Sequence, residues 1–487
     1  MPGIGEAARS APDATAVVMG RYGQSFGELD ERSRAIAGVF RAEGLERGDR
    51  VAILGANRPE VLELVSAALR AGIVPVPVNV LLTAPEIEFL IEDSGARWLF
   101  TDRPFESPSL EQTITFGDAY ERLLHDASPA PIADVVLGRP MHYTSGTTGT
   151  PKGVWVLPAS EDLAGKRSID FIRLWGLNSD DVHLVCSPLA HSAPLRFSIR
   201  ALEAGGTVVL QERFDAAETL AAVELFGITS TFMVPTHLER ILSLGDVALA
   251  RHDTSSMRLL AHAGAPIREE TKRRVLELFP EGSVWEFYGS TEGQATRISS
   301  AEWLRKPGSV GTPPPGGRII VTSEEGSELP LGATGLVWIA DPNPERFEYW
   351  GQEAATRRAW RRFGDAIAFT VGDLGRVDAD GYLYLSGRLH DTIITGGVNV
   401  YPQEVERVLV SHPAVAEAAV YGAQHDEWGQ EVRAMVVGTH GFPLDPEHLR
   451  QWARERLAGY KCPRHIDVVP ELPRTATGKV KREPPFF

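Results

Sequence analysis

The sequence predicts an α/β protein with a large N-terminal region of layered sheets carrying a small β-barrel-like unit, and a small α+β domain at the C-terminus. Three observations carry this. Short apolar runs alternate with helical periodicity as far as Phe287, the pattern of α/β layers with mostly parallel sheets. From about Ser309 the texture changes: Pro313, Pro314, Pro315, Gly316 and Gly317 form a turn, and 318–322 and 335–339 read as strands of a smaller β unit. Beyond Arg388 a helix, two strands and a second helix fit a domain of about one hundred residues, an ordinary domain size.

The elements follow in order. Residues 50–54 are apolar enough for a strand. Asn57, Arg58 and Pro59 start a helix, with Pro in its first turn. Val61, Leu62, Val65, Ala68 and Leu69 give that helix one apolar face, Gly72 ends it, and 74–78 form the next strand. Further strands are expected at 98–101, 182–187, 207–210, 228–234, 257–262 and 284–287, with helices at 216–226 and 268–279 between some of them. In the last region 402–411 and 446–457 read as helices, and 415–421 and 431–437 as strands. Ligands of such sheets bind at the carboxyl ends of the strands.

Composition sets bounds. A chain of 487 residues divides into at least two domains. A formal charge of −16 argues against nucleic-acid or anionic-membrane binding. Cys186 and Cys462 are the only cysteines, so neither a disulfide framework nor a zinc site is expected, and a reducing cytoplasm is the simplest location. The N-terminus has no signal-peptide pattern, and no run is apolar for long enough to span a bilayer.

The richest chemistry lies between Tyr143 and Gly153. A short strand, 141–144, leads into Ser145, Gly146, Thr147, Thr148, Gly149, Thr150, Pro151 and Lys152. Glycines let successive N–H groups turn inward around an anion, the hydroxyls add donors, and Lys152 adds positive charge. The spacing differs from the common NTPase phosphate loop. A second string, Glu286, Phe287, Tyr288, Gly289, Ser290, Thr291 and Glu292, runs from a strand into a ring for stacking, a phosphate donor in Thr291 and a carboxylate in Glu292 suited to Mg²⁺. Three shorter signals accompany these. His262, Ala263, Gly264, Ala265 and Pro266 suit either a flat base lying on the backbone or a tight turn. Asp373, between Gly372 and Gly375, suits either ribose hydroxyls or an Asx turn. Val234, in Phe232 to Thr236, reads by itself as part of a core strand.

These strings resemble the adenylate-forming superfamily of acyl-CoA synthetases, peptide-synthetase adenylation domains and luciferases, over about residues 12–482. Lys306 to Gly311 and Ala458 to Pro463 resemble the fatty- and aryl-acid CoA ligases most. The resemblance implies a large AMP-binding domain, 1–388, and a small mobile lid, 389–487. It implies phosphate contacts from Thr144, Ser145, Gly146, Thr147, Thr148, Gly149, Lys152 and Thr291, and Mg²⁺ on Glu292. Adenine would lie against Gly264, Ala265, Pro266, Tyr288 and Gly289, with ribose on Asp373, and ribose or phosphate oxygens on Arg388. His191, in Pro188 to Pro194, would border the acyl pocket beside Val234. Arg196 faces either solvent or that pocket, and in the second case the acid has a polar or anionic far end. The hinge falls at His390, where the family usually has Asp or Lys. Gly396 and Gly397 would line the path of the CoA thiol, and Lys479 would be the catalytic lysine.

The reaction so implied uses ATP, Mg²⁺ and CoA: a carboxylic acid becomes an acyl-adenylate with release of pyrophosphate, then an acyl-CoA with release of AMP. Three rivals stand beside it. They are transfer to the thiol of a separate carrier protein, activation of an oxyanion such as nitrite for attack by an amine, and nucleotide binding without catalysis. The mobile lysine argues against the last.

Overall fold

The computed structural model describes residues 2–144, 151–341, 346–395, 398–425, 428–439, 441–474 and 480–482. The chain forms two compact units, each discontinuous in sequence: residues 1–314 with 343–358, and residues 315–342 with 359–487.

The first unit is built on an eight-stranded sheet. Its order is Gln294–Ser299, Val284–Gly289, Leu259–His262, Ser230–Met233, Val182–Val185, Thr207–Leu210, Thr15–Met19, Tyr22–Ser25. The six inner strands are parallel, and the two outer ones are antiparallel to their neighbours. Both faces are covered, as a parallel core requires. On Leu259–His262, Leu260 packs with Val223, Val275 and Phe279, while Leu259 and Ala261 pack with Trp175, Phe197 and Phe232 on the opposite side. A second, wholly parallel sheet joins Val74–Val78, Arg50–Leu54, Trp98–Thr101 and Gln112–Thr115. The expected punctuation is present. Helix Pro59–Ala71 has Pro in its first turn and ends at Gly72 with φ 81°. Helix Ala216–Phe226 starts where the Asp215 side chain accepts from the amides of Ala217 and Glu218.

Several elements exceed the sequence reading. The hairpin Thr15–Met19 and Tyr22–Ser25 and helix Phe26–Ala42 complete one edge of the first unit, and Ser25 with Glu28 forms a capping box on that helix. In the second unit, the β unit is six antiparallel strands: Arg318–Thr322, Gly335–Ala340, Trp360–Phe363, Ala366–Phe369, Asp373–Val377 and Leu383–Arg388. Gly335–Ala340 serves three partners, so the sheet branches; no pairing among the described residues closes it into a barrel. The rest of this unit is the expected α+β fold. Ile393–Thr395, Val398–Val400, Val415–His425, Gly429–Gly438 and His465–Val468 form one sheet, and helices Pro402–Val410 and Pro446–Arg454 bury Val405, Leu409 and Leu449 in the same core as Val420 and Val436.

Among the described residues, no helix is long and apolar enough to cross a membrane.

Candidate functional site

Two hairpins of the first unit carry the two strongest motifs. In one, His142–Thr144 pairs with Lys152–Trp155, and Thr144 lies opposite Lys152. Ser145, Gly146, Thr147, Thr148, Gly149 and Thr150 lie outside the described residues. Gly153 is required by close approach: a Cβ there would stand 2.2 Å from Met141 Cε and 3.1 Å from Tyr143 Cζ. A short strand, Glu348–Tyr349, adds to this hairpin with Tyr349 opposite Val154. The Lys152 ammonium stands 5.3 Å from the centre of the Tyr349 ring, a cation–π distance. The Tyr349 hydroxyl donates to Glu292 Oε1 at 2.8 Å.

Glu292 belongs to the second hairpin, Val284–Gly289 with Gln294–Ser299. Their register shifts at Gly289, where a Cβ would lie 3.0 Å from Gln294 Cα. The Ser290 amide donates to Gly293 O at 2.8 Å and closes the turn. The Arg139 guanidinium holds this turn from outside, donating to Thr291 O at 3.0 Å and Glu292 O at 3.2 Å. Glu292 is buried, and Ser290 Oγ is a buried hydroxyl with no protein partner. Tyr288 is buried at the end of its strand.

Gly264 has φ +93°, which explains glycine at that position, and a Cβ on it would stand 3.6 Å from Val234 Cγ1. Val234 therefore lies against the Gly264, Ala265, Pro266 turn, whose three residues are exposed. His191 is the N-cap of helix Ser192–Glu203, and Arg196 lies in its second turn. Both are half-buried. Burial, then the positive charges of His191, Arg196 and Arg139, push the His142 imidazole down to about 3. His142 Nε2 is buried without a hydrogen-bond partner. His191, Arg196 and Arg139 thus all lie within electrostatic reach of His142 at the root of the first hairpin.

The second unit holds the remaining described candidates. Asp373 and Arg388 are paired across adjacent strands, and Arg388 Nε donates to Asp373 Oδ1 at 3.1 Å. Gly372, with φ +83°, precedes the aspartate. His390 falls within the 3₁₀ turn Leu389–Asp391, although its imidazole lies outside the described residues. Gly396, Gly397 and Lys479 also lie outside them.

Sequence reasoning missed Tyr349, Arg139 and His142. Tyr349 comes from a separate segment with neither a glycine turn nor a charge pattern to mark it. Arg139 acts through backbone carbonyls, which leave no motif. His142 sits inside the strand leading to the recognised loop, and only its burial distinguishes it.

The fold and these motifs define a nucleotide-dependent acid-activating enzyme. The sequence profile of the AMP-binding enzymes matches residues 4–346, and that of the AMP-binding enzyme C-terminal domain matches 404–479. The chain belongs to this family. It is 36% identical to a feruloyl-CoA synthase of an Amycolatopsis species, covering 97% of this chain and 95% of the relative. It is 34% identical to a fatty acid–[acyl-carrier-protein] ligase of Streptomyces coeruleorubidus, with 98% and 93% covered. The o-succinylbenzoate CoA synthetase of Bacillus subtilis, solved with its acyl-adenylate intermediate, aligns with a TM-score of 0.86 at 31% identity, over 99% of this chain and 97% of that one. The same enzyme with ATP and a magnesium ion aligns at 0.85 and 31%, over 99% and 98%.

Proposed function

We propose that this chain is an ATP-dependent, AMP-forming acid–CoA ligase. The observation that carries the reading is the joining of both hairpin motifs through one phenol, which sets the Lys152 cation and the Glu292 carboxylate on either side of Tyr349. A polyphosphate needs such a field, because the attacking carboxylate and the α-phosphate are both anionic. In this reading Thr144, the Ser145 to Gly149 loop, Lys152 and Thr291 surround the phosphates. Tyr288, Gly289 and the Gly264 to Pro266 turn receive adenine, and Asp373 and Arg388 hold the ribose. Glu292 and the unpartnered Ser290 hydroxyl are hard oxygen donors and fit Mg²⁺, which is held through few protein oxygens plus phosphates. When bound, that ion offsets phosphate charge.

The chemistry proceeds in two displacements. The acid's oxygen attacks the α-phosphorus and pyrophosphate leaves; Lys479 stabilises the charge that develops. The domain of residues 389–487 then pivots near His390 against residues 1–388. Gly396 and Gly397 border the path along which the CoA thiol reaches the acyl carbon, and AMP leaves. No covalent bond to the protein is needed. The acid itself is bordered by His191 and Val234; where Arg196 faces that pocket, the far end of the acid is polar or anionic. Two buried, unpaired cysteines support a reducing cytoplasm as the location.

Mass spectrometry of reactions containing ATP, Mg²⁺, CoA and a panel of fatty, aryl and dicarboxylic acids tests the reading. A thioester with matching AMP is expected, and a polar aromatic or dicarboxylic acid as the best substrate would put Arg196 in the pocket. AMP without thioester would move the acceptor to a carrier-protein thiol, as the name of the Streptomyces relative suggests, or to an amine. Lys479→Ala is expected to abolish adenylation while sparing thioester formation from supplied acyl-adenylate; equal loss of both half-reactions removes the role given to Lys479.

A further inference from the structure

Beneath the two nucleotide motifs of the first unit lies a polar cluster that the mechanism above does not use. Lys272, on helix Glu269–Leu278, is 1% exposed, His262 0% and Glu286 7%. The Lys272 ammonium donates to His262 Nε2 and, at 3.2 Å, to Glu286 Oε2. It also stands 5.6 Å from the ring centre of the buried Trp303. Burial and the lysine's charge hold the His262 imidazole neutral, well below its usual range, so its Nε2 is an acceptor for the ammonium.

The place of the cluster gives it meaning. His262 and Glu286 are opposite each other on adjacent parallel strands. His262 is the last residue of its strand, two before Gly264 of the exposed turn. Glu286 is two residues before Tyr288 on the same face of its strand, and the same strand runs on into the Thr291 and Glu292 turn. Lys272 lies in the first turn of the helix that follows the Gly264 turn. One ammonium therefore ties the start of that turn to the helix beyond it, and ties both to the root of the second motif. A buried lysine is costly unless fully paired, and a pair of well-packed apolar side chains would serve stability as well or better. What the cluster adds is fixed geometry at two places at once.

We infer that Lys272, with His262 and Glu286, is a positioning residue that sets the distance between the Gly264 to Pro266 turn and the Tyr288 to Glu292 motif, and so the affinity for the adenine nucleotide. This rests on the nucleotide reading of those two motifs. The test compares Lys272→Met, the double variant Lys272→Met/Glu286→Gln, and Tyr288→Ala in the full chain. ATP binding is read by calorimetry, KM for ATP and for the acid by pyrophosphate release, and folding by thermal melting. Lys272→Met strands a buried carboxylate and melts lower; the double variant removes that charge and regains stability. The expected result is ATP binding weakened about tenfold or more in both, with KM for the acid changed less than about twofold, since small misplacements of a site cost up to about a hundredfold. If ATP affinity returns with stability in the double variant, the cluster only holds the fold and the inference is overturned. If Tyr288→Ala binds ATP as tightly as the parent, the nucleotide reading of the motif falls, and the inference with it.

Discussion

Lys152 and Lys272 each meet an aromatic ring, yet their surroundings separate them. Lys152 is half-buried at the mouth of a hairpin and, among the described residues, is linked to Glu292 through Tyr349. Lys272 is sealed between a helix and two strands and is bonded to His262 and Glu286. A cation whose partner is a ring rather than a carboxylate keeps its charge for a ligand. A cation already bound to a carboxylate and an imidazole has its charge consumed inside the protein and acts through geometry alone.

Substitutions can break that contrast. Lys152→Ala is expected to give the largest effect, about a hundredfold loss in adenylation rate, because removing one preorganised electrostatic donor costs on that order. Melting should move little, since among the described residues the side chain makes no buried ion pair. A rate within a few-fold of the parent, measured by pyrophosphate release, would place Lys152 with the surface lysines. Tyr349→Phe keeps the ring beside Lys152 and removes the hydroxyl that donates to Glu292. A hydrogen bond to a charged group is worth about 1.5–3 kcal/mol, so KM for ATP in Mg²⁺ should rise roughly tenfold to a hundredfold. An unchanged KM with normal turnover would show that Glu292 needs no help from the phenol.

The smallest effect concerns buried bases that are neutral. His183 is bonded to Ser230 Oγ at 3.0 Å and stacked on Phe197, and burial pushes it down to about 4 from 6.5. The unfolded chain binds that proton first as pH falls, so native stability decreases from about pH 6.5 down to about pH 4 and this group adds no further loss below. Melting curves of His183→Gln across that range are expected to show a shallower fall than the parent. Equal slopes would assign acid sensitivity to His142 and His237, which burial also depresses.

The legible and illegible parts of the molecule divide along similar lines. Alternating apolar runs and helix punctuation marked most of the large sheet, since its strands are buried on both faces and flanked by Pro, Asp and Gly. The hairpin Thr15–Met19 and Tyr22–Ser25 at its edge escaped because Thr, Tyr, Gly and Gln dilute the apolar signal there. The branching of the smaller sheet at Gly335–Ala340 left no mark in the sequence, because pairing of one strand with three partners is decided in space. Site residues that offer loops to a ligand carry glycines and hydroxyls and are visible as strings. Tyr349, Arg139 and Lys272 act on other protein groups from distant segments, and a lone Tyr, Arg or Lys looks like any other.

The short strand Glu348–Tyr349 has a consequence for how the protein is made. It belongs to the first unit, but residues 315–342 of the second unit are translated before it. Lys152 and Glu292 must both await a tyrosine synthesised long after the hairpin it joins; at about 5–20 residues per second the hairpin of Lys152 waits roughly 10–40 s. A nascent chain released at residue 314 would hold every motif of the first unit and still lack the phenol that joins Lys152 to Glu292.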